Sequence, residues 1–209
     1  MKILYVSTIS GTINAFLVPH IQSLLDLGYD VDIACHLSRP INNTLLDRGC
    51  KFYNIEFSRS PLHKGNIAAY KKLKKLIQNN NYDLVHTHTP IASTCVRLVC
   101  RNMPDVKVFY TAHGFHFFEG APLKNWLVYY PIEMWLSKYT DVLITINKED
   151  YYRAKKSFRA RKVEYLPGVG LDTKKLQDLV VNKNAIRKEL GIPDNSFFLL
   201  SVGELNKNK

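Results

Sequence analysis

The sequence lacks the features that mark membrane-spanning, secreted and disulfide-rich proteins. No apolar run approaches the roughly 20 residues that a membrane-spanning helix needs, and the apolar opening reaches polar Ser7 and Thr8 too early for a signal peptide. The four cysteines include no CxxC pair, and a chain of 209 residues needs no disulfides to fold. We therefore predict a cytoplasmic protein whose thiols are buried.

Acidic residues are scarce. The 18 aspartates and glutamates are outnumbered by 29 lysines and arginines, which gives a net charge of +11. A surface this basic attracts nucleic acid, anionic lipid headgroups or phosphorylated substrates. The basic residues are spread along several helical segments, and no nucleic-acid-binding motif occurs. We therefore predict that nucleic acid is not a partner, while a basic module that binds membranes or nucleic acid remains the alternative from outside the enzymes.

What the sequence does contain is an alternation of strand-like and helical segments. A hydrophobic fraction of 46% over 209 residues is enough for the core of one α/β domain. Short β-branched runs predict strands at 3–8, 31–35, 50–57, 83–87, 106–112, 141–146 and 162–166. Apolar residues at helical spacing between them, as in 16–25 and 64–78, predict helices. This order predicts an α/β fold, a Rossmann-like parallel sheet with helices on both faces.

The positions of proline, glycine and other turn-forming residues predict that the chain has three parts. Residues 1–170 form the N-terminal Rossmann-like domain, which ends in the Pro- and Gly-rich stretch at 167–170. Residues 171–196 form a linker and helix. Residues 197–209 begin with an apolar run typical of a buried strand, and no helix follows to cover it. We therefore expect 197–209 to be the first strand of a truncated second domain.

Glycine and polar residues follow the predicted strands. In open parallel sheets ligands bind beyond the carboxyl ends of the strands. The residues at those ends are Gly11 and Thr12 after the first strand, His86 and His88 in the fourth, and Thr111, His113, Gly114 and His116 in and after the fifth. Because side chains alternate along a strand, His86 and His88 are expected to point to the same side of the sheet.

Three interpretations of these histidines are open. His86, His88, His113 and His116 are expected to converge and could bind zinc in a metal-dependent hydrolase, although the nearest carboxylate is Glu119. One of them could instead act as an acid, base or hydrogen-bonding group for sugar hydroxyls, because a neutral imidazole both donates and accepts. The third interpretation is that they only hold loop backbone.

Two further segments are candidate binding sites. Gly11 and Thr12 precede a helix whose N-terminus could face a phosphate, although one glycine fits an ordinary turn equally well. The segment 121–138 carries both tryptophans among lysines. Its candidates for membrane or lipid contact are Lys124, Trp126, Tyr130 and Trp135. The alternative is that this segment is a buried amphipathic helix.

Three motifs resemble glycosyltransferase family 4. They are DLVHTH at 83–88, TAHG at 111–114 and PGVGLD at 167–172, and the stretch SVGEL at 201–205 resembles the strand that opens the second domain of that family. The resemblance covers essentially the whole chain. It implies that the chain is the N-terminal, acceptor-side half of a GT-B fold and is inactive without its C-terminal domain.

The resemblance also implies an activity. It implies a retaining glycosyltransferase that moves a hexosyl or N-acetylhexosaminyl group from a nucleotide-sugar, UDP-linked, without a metal or other cofactor. His113 corresponds to the histidine that lines the reaction centre and stabilises the sugar by hydrogen bonding. Gly11 lies in the loop that approaches the donor phosphate, although the adjacent glycines usual in the family are absent here.

The segment from 111 to 138 is most similar to bacterial enzymes of exopolysaccharide or capsule assembly. That similarity implies a lipid-linked saccharide acceptor and a peripheral location on the anionic inner face of the plasma membrane. The net charge of +11 and the aromatic segment agree with this location independently.

Overall fold

The computed structural model describes residues 1–58, 60–61, 63–170, 173 and 181–202. Over these residues the strands are β1 Lys2–Ile9, β2 Asp30–His36, β3 Phe52–Asn54, β4 Leu84–His88, β5 Lys107–Ala112, β6 Val142–Thr145 and β7 Lys162–Tyr165. The helices are α1 Ser10–Thr12, α2 Val18–Asp26, α3 Asn43–Leu46, α4 Gly65–Asn80, α5 Pro90–Cys100, α6 Leu123–Ser137, α7 Lys148–Ser157 and α8 Lys183–Glu189. A π-helical turn, Ile13–Leu17, joins α1 to α2.

All seven strands belong to one sheet in which every neighbouring pair is parallel. Their order is β3-β2-β1-β4-β5-β6-β7, so the chain begins in the middle of the sheet, builds one side and then crosses back to build the other. This confirms the predicted Rossmann-like α/β fold. All seven carboxyl ends point to the same edge, where the fourth strand ends beside the first and the fifth beside the fourth.

Helices cover both faces of the sheet, as the side chains of β1 show: alternate residues pack into two different hydrophobic cores. Leu4 and Val6 pack with α4 and α5, whereas Ile3 and Tyr5 pack with α2 and α3. Side chains alternate across a strand, so the faces can be named after these helices. We call them the α2 face and the α5 face.

The start of the first helix differs from the prediction. Gly11 and Thr12 were expected to precede the first helix, but β1 runs directly into α1, which contains both. The physical reason is the buried Ser10 hydroxyl, which accepts hydrogen bonds from the backbone N–H groups of Ser38 (3.0 Å) and Arg39 (2.9 Å) and donates one to the Arg39 carbonyl (2.7 Å). These bonds hold the helix start against the segment that follows β2.

Two other segments also differ from the prediction. The third strand was predicted over 50–57 but extends only over Phe52–Asn54 at the edge of the sheet, where it pairs with β2 alone. Helix α5 was not predicted at all, although it packs on the α5 face with a row of buried side chains.

The described residues from Gly170 onward belong to a second unit, distinct from Met1–Val169. Its described helix, α8, is capped by the Asn182 side chain, which accepts from the Ala185 N–H at 3.1 Å. Residues 197–202 are in no strand, and their large apolar side chains are exposed. Much of the predicted linker and all of 203–209 lie outside the described residues, so the second domain remains a prediction.

Candidate active site at the carboxyl edge of the sheet

Three histidines meet where β4 and β5 end. His86 and His88 lie on β4 with ring centroids 4.4 Å apart, so the expectation that both point to one side is met. His113 directly follows β5, and its Nε2 lies 3.1 Å from Nδ1 of His88. We call these three residues the histidine cluster.

Neighbouring strands hold the cluster in place on the α2 face. Tyr5 of β1, which is buried, contacts both β4 rings, with centroid separations of 4.9 Å to His86 and 5.7 Å to His88. The Nε2 atom of His86 lies 2.9 Å from the Thr111 hydroxyl of β5. Thr111 was a predicted site residue, whereas Tyr5 was not. Sequence reasoning missed Tyr5 because its place beside His86 depends on the pairing of β1 with β4.

The cluster is electrically neutral at physiological pH. Burial lowers the pKa of His86 to about 3, with smaller electrostatic contributions from His20 and His113. Burial also lowers the pKa of His88 well below its ordinary value, helped by the neighbouring imidazoles, and it lowers the pKa of the partly exposed His113. Each ring therefore keeps one N–H donor and one acceptor nitrogen.

The fourth histidine does not join the cluster. His116 is exposed and packs against Tyr129 of α6, with ring centroids 4.9 Å apart. The expectation that four histidines converge is therefore met for three of them. Among the described residues, no group of three or more histidine, cysteine or acidic side chains is placed to hold a metal ion.

A large cavity lies on the other side of the sheet edge. It has a volume of about 760 Å³ and is lined by the α5 face of β5, by α5, by α6 and by the segment after β5. Thr12, Gly114 and His116, all predicted site residues, line it. Gly114 has φ 133°, a conformation that favours glycine. With the exception of Gly11, the predicted strand-end residues thus lie in the histidine cluster, in contact with it through Thr111, or in the lining of this cavity.

Thr89 joins the two regions. It follows His88 and lines the cavity. Its φ of 69° is unusual for a β-branched residue, and its hydroxyl accepts from the Thr8 N–H at 3.0 Å and contacts the Thr8 hydroxyl at 2.7 Å. These contacts tie the end of β1 to the start of α5 and hold the strained residue at the edge of the sheet.

An ion pair is buried beside the cavity. The guanidinium of Arg97 on α5 donates to both carboxylate oxygens of Glu133 on α6, at 2.8 and 3.2 Å, and it stacks over the Tyr110 ring at 4.5 Å. Glu133 lines the cavity. This bidentate pair holds α5 to α6, and sequence reasoning missed it because the partners are 36 residues apart.

The predicted phosphate loop has an ordinary steric environment. A Cβ atom built on Gly11 would meet only Ile9 Cδ1 at 3.5 Å and Ser38 Oγ at 3.9 Å, which is normal van der Waals contact. Glycine is therefore not required at this position for packing. The phosphate contact of Gly11 and Thr12 remains a prediction.

The predicted membrane-contact residues of α6 divide into two pairs. Trp126 and Tyr130 are partly buried and pack against Phe117, so core packing accounts for them. Lys124 and Trp135 are exposed, Trp135 to 46%. Of the helices that the structure describes, none combines the length and the apolar character that spanning a bilayer demands.

The sequence is similar to bacterial proteins over part of their length. Residues 2–147 match the model of a family described as glycosyl transferase 4-like. The chain is 40% identical to EpsD of Bacillus subtilis (strain 168), provisionally described as a glycosyltransferase, over 100% of the chain and 54% of EpsD. It is 28% identical to the UDP-Gal:alpha-D-GlcNAc-diphosphoundecaprenol alpha-1,3-galactosyltransferase of Escherichia coli, over 85% of the chain and 46% of that enzyme. The chain thus spans about half the length of these curated relatives.

Solved structures share the fold at low sequence identity. A sucrose-phosphate synthase from Thermosynechococcus elongatus matches with a TM-score of 0.66 and 14% identity, over 93% of this chain and 54% of that one. A glycosyltransferase from Rickettsia africae ESF-5 matches with a TM-score of 0.63 and 16% identity, over 93% and 50%. These similarities establish that the sheet is that of a GT-B half.

Proposed function

The chain belongs to the glycosyl transferase 4-like family, and we propose that it is the acceptor-side half of a retaining glycosyltransferase. The complete enzyme transfers a hexosyl or N-acetylhexosaminyl group from a UDP-linked donor. The acceptor is a lipid-linked or growing saccharide in exopolysaccharide or capsule assembly. No cofactor takes part, and the half described by these residues is inactive without its C-terminal domain.

The observation that carries this proposal is the position of His113. Its ring lies at the carboxyl edge of the sheet, where open α/β folds bind ligands, and His88 holds it from behind through the 3.1 Å contact. The role of His113 is to stabilise the transferred sugar by a hydrogen bond in the transition state, because preorganised donors contribute most where charge develops.

The direction of the His88–His113 bond decides what His113 offers. In the described structure Nε2 of His88 is buried and has no hydrogen-bond partner. An unpaired buried N–H is rare, so the favoured tautomer of His88 carries its proton on Nδ1 and donates it to His113 Nε2. His113 then carries its own proton on Nδ1, and that N–H is the donor for the sugar.

The acceptor class is supported by a relative and by the surface of the chain. The Escherichia coli relative is named for a UDP-sugar donor and a sugar-diphosphoundecaprenol acceptor, and another relative, 28% identical, is a 41.2 kDa protein in the cps region of Klebsiella pneumoniae. The net charge of +11 and exposed Trp135 and Lys124 suit an anionic membrane surface. We therefore assign the enzyme to the cytoplasmic side of the plasma membrane.

A transfer assay tests the proposal. The protein, expressed from its complete open reading frame, is given labelled UDP-sugars and a membrane lipid extract, with and without chelator. We expect chelator-resistant label in the lipid fraction. His113→Ala should lower kcat by about 10²–10³-fold, whereas His113→Asn, which keeps a donor near the Nδ1 position, should retain more activity.

The matched control is His63→Ala, which removes an exposed histidine that belongs neither to the cluster nor to the residues lining the cavity, and it should have a smaller effect. Unchanged turnover in a folded His113→Ala protein would remove His113 from the mechanism. Transfer that is lost on chelation would contradict a metal-independent mechanism, and chelator-sensitive release of free sugar with no label in lipid would favour the metal-dependent hydrolase instead.

A further inference from the structure

The walls of the cavity on the α5 face are mainly apolar. Ile91 and Cys95 of α5 contribute one side, Phe115 and Phe117 another, and Val128 and Ile132 of α6 a third. Its volume of about 760 Å³ lies within the range of about 300–1,000 Å³ typical of sites for small molecules. The cavity is therefore large enough for a ligand and chemically suited to an apolar one.

The charges around the cavity favour an uncharged ligand over a nucleotide. Among the described residues that line it, there is no lysine or arginine, and the one carboxylate, that of Glu133, is already paired with Arg97. A diphosphate is held best by cationic side chains, and the described lining residues include no lysine or arginine to supply them. An uncharged apolar molecule needs no ionic partner, so the lack of cationic side chains does not disfavour its binding.

The cavity opens onto an exposed apolar surface. Val128 and Ile132 line it and are also 51% and 44% exposed, so they belong both to the cavity and to the outside of α6. Trp135 and Leu123 continue the exposed apolar surface along the same helix. A chain leaving the cavity past Val128 would therefore remain in apolar surroundings.

At its other limit the cavity approaches the histidine cluster. Thr89 and Gly114 line it, and they directly follow His88 and His113 in the sequence. A ligand that occupies the cavity therefore places its end near the residue to which we assign the chemistry. One molecule that matches both limits has a saccharide head and a long apolar tail.

We propose that this cavity binds the first isoprenoid units of the acceptor's lipid chain, an inference that rests on the proposed function. The saccharide lies over the edge of the sheet at His113, and the chain passes through the cavity and leaves beside α6. The cavity thus recognises the carrier lipid, separately from the recognition of the sugar.

Direct binding of short prenyl phosphates tests the inference without a transfer reaction. The probes are the C10 and C15 compounds, used below their micelle-forming concentrations, with inorganic phosphate as the headgroup control, and binding is measured by calorimetry. Each buried methylene is expected to tighten binding about fourfold. The C15 compound carries one isoprene unit more than the C10 compound, and burial of about two to three carbons of that unit would make it bind roughly tenfold to a hundredfold more tightly; we expect phosphate alone not to compete. Equal affinities for the two chains would overturn the proposal.

Two matched variants locate the site. Val128→Asp places a charge at the opening of the cavity, whereas Leu127→Asp places the same charge on the neighbouring residue, which is 69% exposed and does not line the cavity. Both positions are exposed, so both variants should fold. We expect Val128→Asp to weaken C15 binding by roughly tenfold or more and Leu127→Asp to have little effect. Equal losses would mean that the probe binds the outer surface, which would refute the inference.

A transfer assay with two acceptors separates this inference from the proposed function. If the enzyme is not a glycosyltransferase, no acceptor is glycosylated, yet prenyl binding still depends on Val128. If the enzyme is a glycosyltransferase but the cavity does not bind the lipid chain, a lipid-linked acceptor and its water-soluble glycoside react equally well. Val128→Asp then affects the rates with both acceptors to the same extent. Preference for the lipid-linked acceptor that is lost in Val128→Asp supports both proposals.

Discussion

Acidification should destabilise Met1–Val169 through its buried histidines. The pKa of His86 falls from an ordinary value of 6.5 in the unfolded chain to about 3 in the folded one. Between these values the unfolded chain binds more protons than the folded one, so the free energy of unfolding falls as the pH falls. The contribution of neutral His86 to the free energy of unfolding is fully present above pH 6.5 and is lost progressively as the pH falls below that value.

The size of the effect follows from that shift. Between pH 7.5 and pH 5.0 the free energy of unfolding changes mainly over the 1.5 pH units below the unfolded pKa of 6.5. Each of these pH units changes it by about 1.4 kcal/mol. His86 alone should therefore reduce the free energy of unfolding by about 2 kcal/mol over this interval. The buried His88 acts in the same direction because its pKa is also lowered.

The assay compares the wild type with His86→Gln at both pH values. Glutamine does not titrate, and its side-chain nitrogen can replace Nε2 in the contact with Thr111. Urea unfolding is followed by tryptophan fluorescence, which reports on this unit because Trp126 and Trp135, the only tryptophans of the sequence, both lie in it. The stability of the variant at pH 7.5, where His86 is uncharged, is the internal control.

We expect the loss of stability between pH 7.5 and 5.0 to be about 2 kcal/mol smaller in His86→Gln than in the wild type. The comparison cancels the titration of the carboxylates, which both proteins share. An identical pH dependence in the two proteins would show that His86 titrates normally when folded, and the packing of the cluster under Tyr5 would then be wrong.

Two further substitutions test the packing of α6. Glu133→Gln should destabilise the protein by about 3–5 kcal/mol because it leaves Arg97 buried without its counter-ion. The double variant Arg97→Met, Glu133→Leu should recover most of that loss. If urea unfolding finds the single variant as stable as wild type, the buried pair is contradicted. Trp135→Ala should weaken binding to anionic liposomes with little change in stability, and Trp126→Ala should do the reverse, since only Trp135 is exposed; the opposite pattern in a flotation assay would reverse the two assignments.

The parts of the fold that the sequence predicted are those set by local pattern. Most strands of the sheet appear as short β-branched runs, and two-residue alternation places His86 and His88 on one side. Helix α5 escaped prediction because its Ile, Thr and Val residues have low intrinsic helix propensity. It forms nevertheless, since burying its apolar side against β4 and α4 outweighs that preference.

The parts that the sequence did not predict depend on contacts between distant residues. The place of Tyr5 under the β4 rings follows from the pairing of strands that are about 80 residues apart, and the Arg97–Glu133 pair depends on how α5 lies against α6. The helical start at Ser10 is likewise fixed by the backbone of 38–39. No periodicity within one segment encodes such contacts.

The histidine cluster and the cavity lie on opposite faces of one sheet and approach each other only at its edge, through Thr89 and Gly114. In the proposed enzyme this separates the reaction from the recognition of the carrier. Substitutions in α5 or α6 can reshape the cavity without repacking the rings of β4, and substitutions around Tyr5 leave the cavity intact. In that proposed enzyme, changes to the cavity would alter which carrier lipid is accepted and leave the chemistry unchanged, so exchanging the α6 segment with that of a relative would test acceptor choice directly.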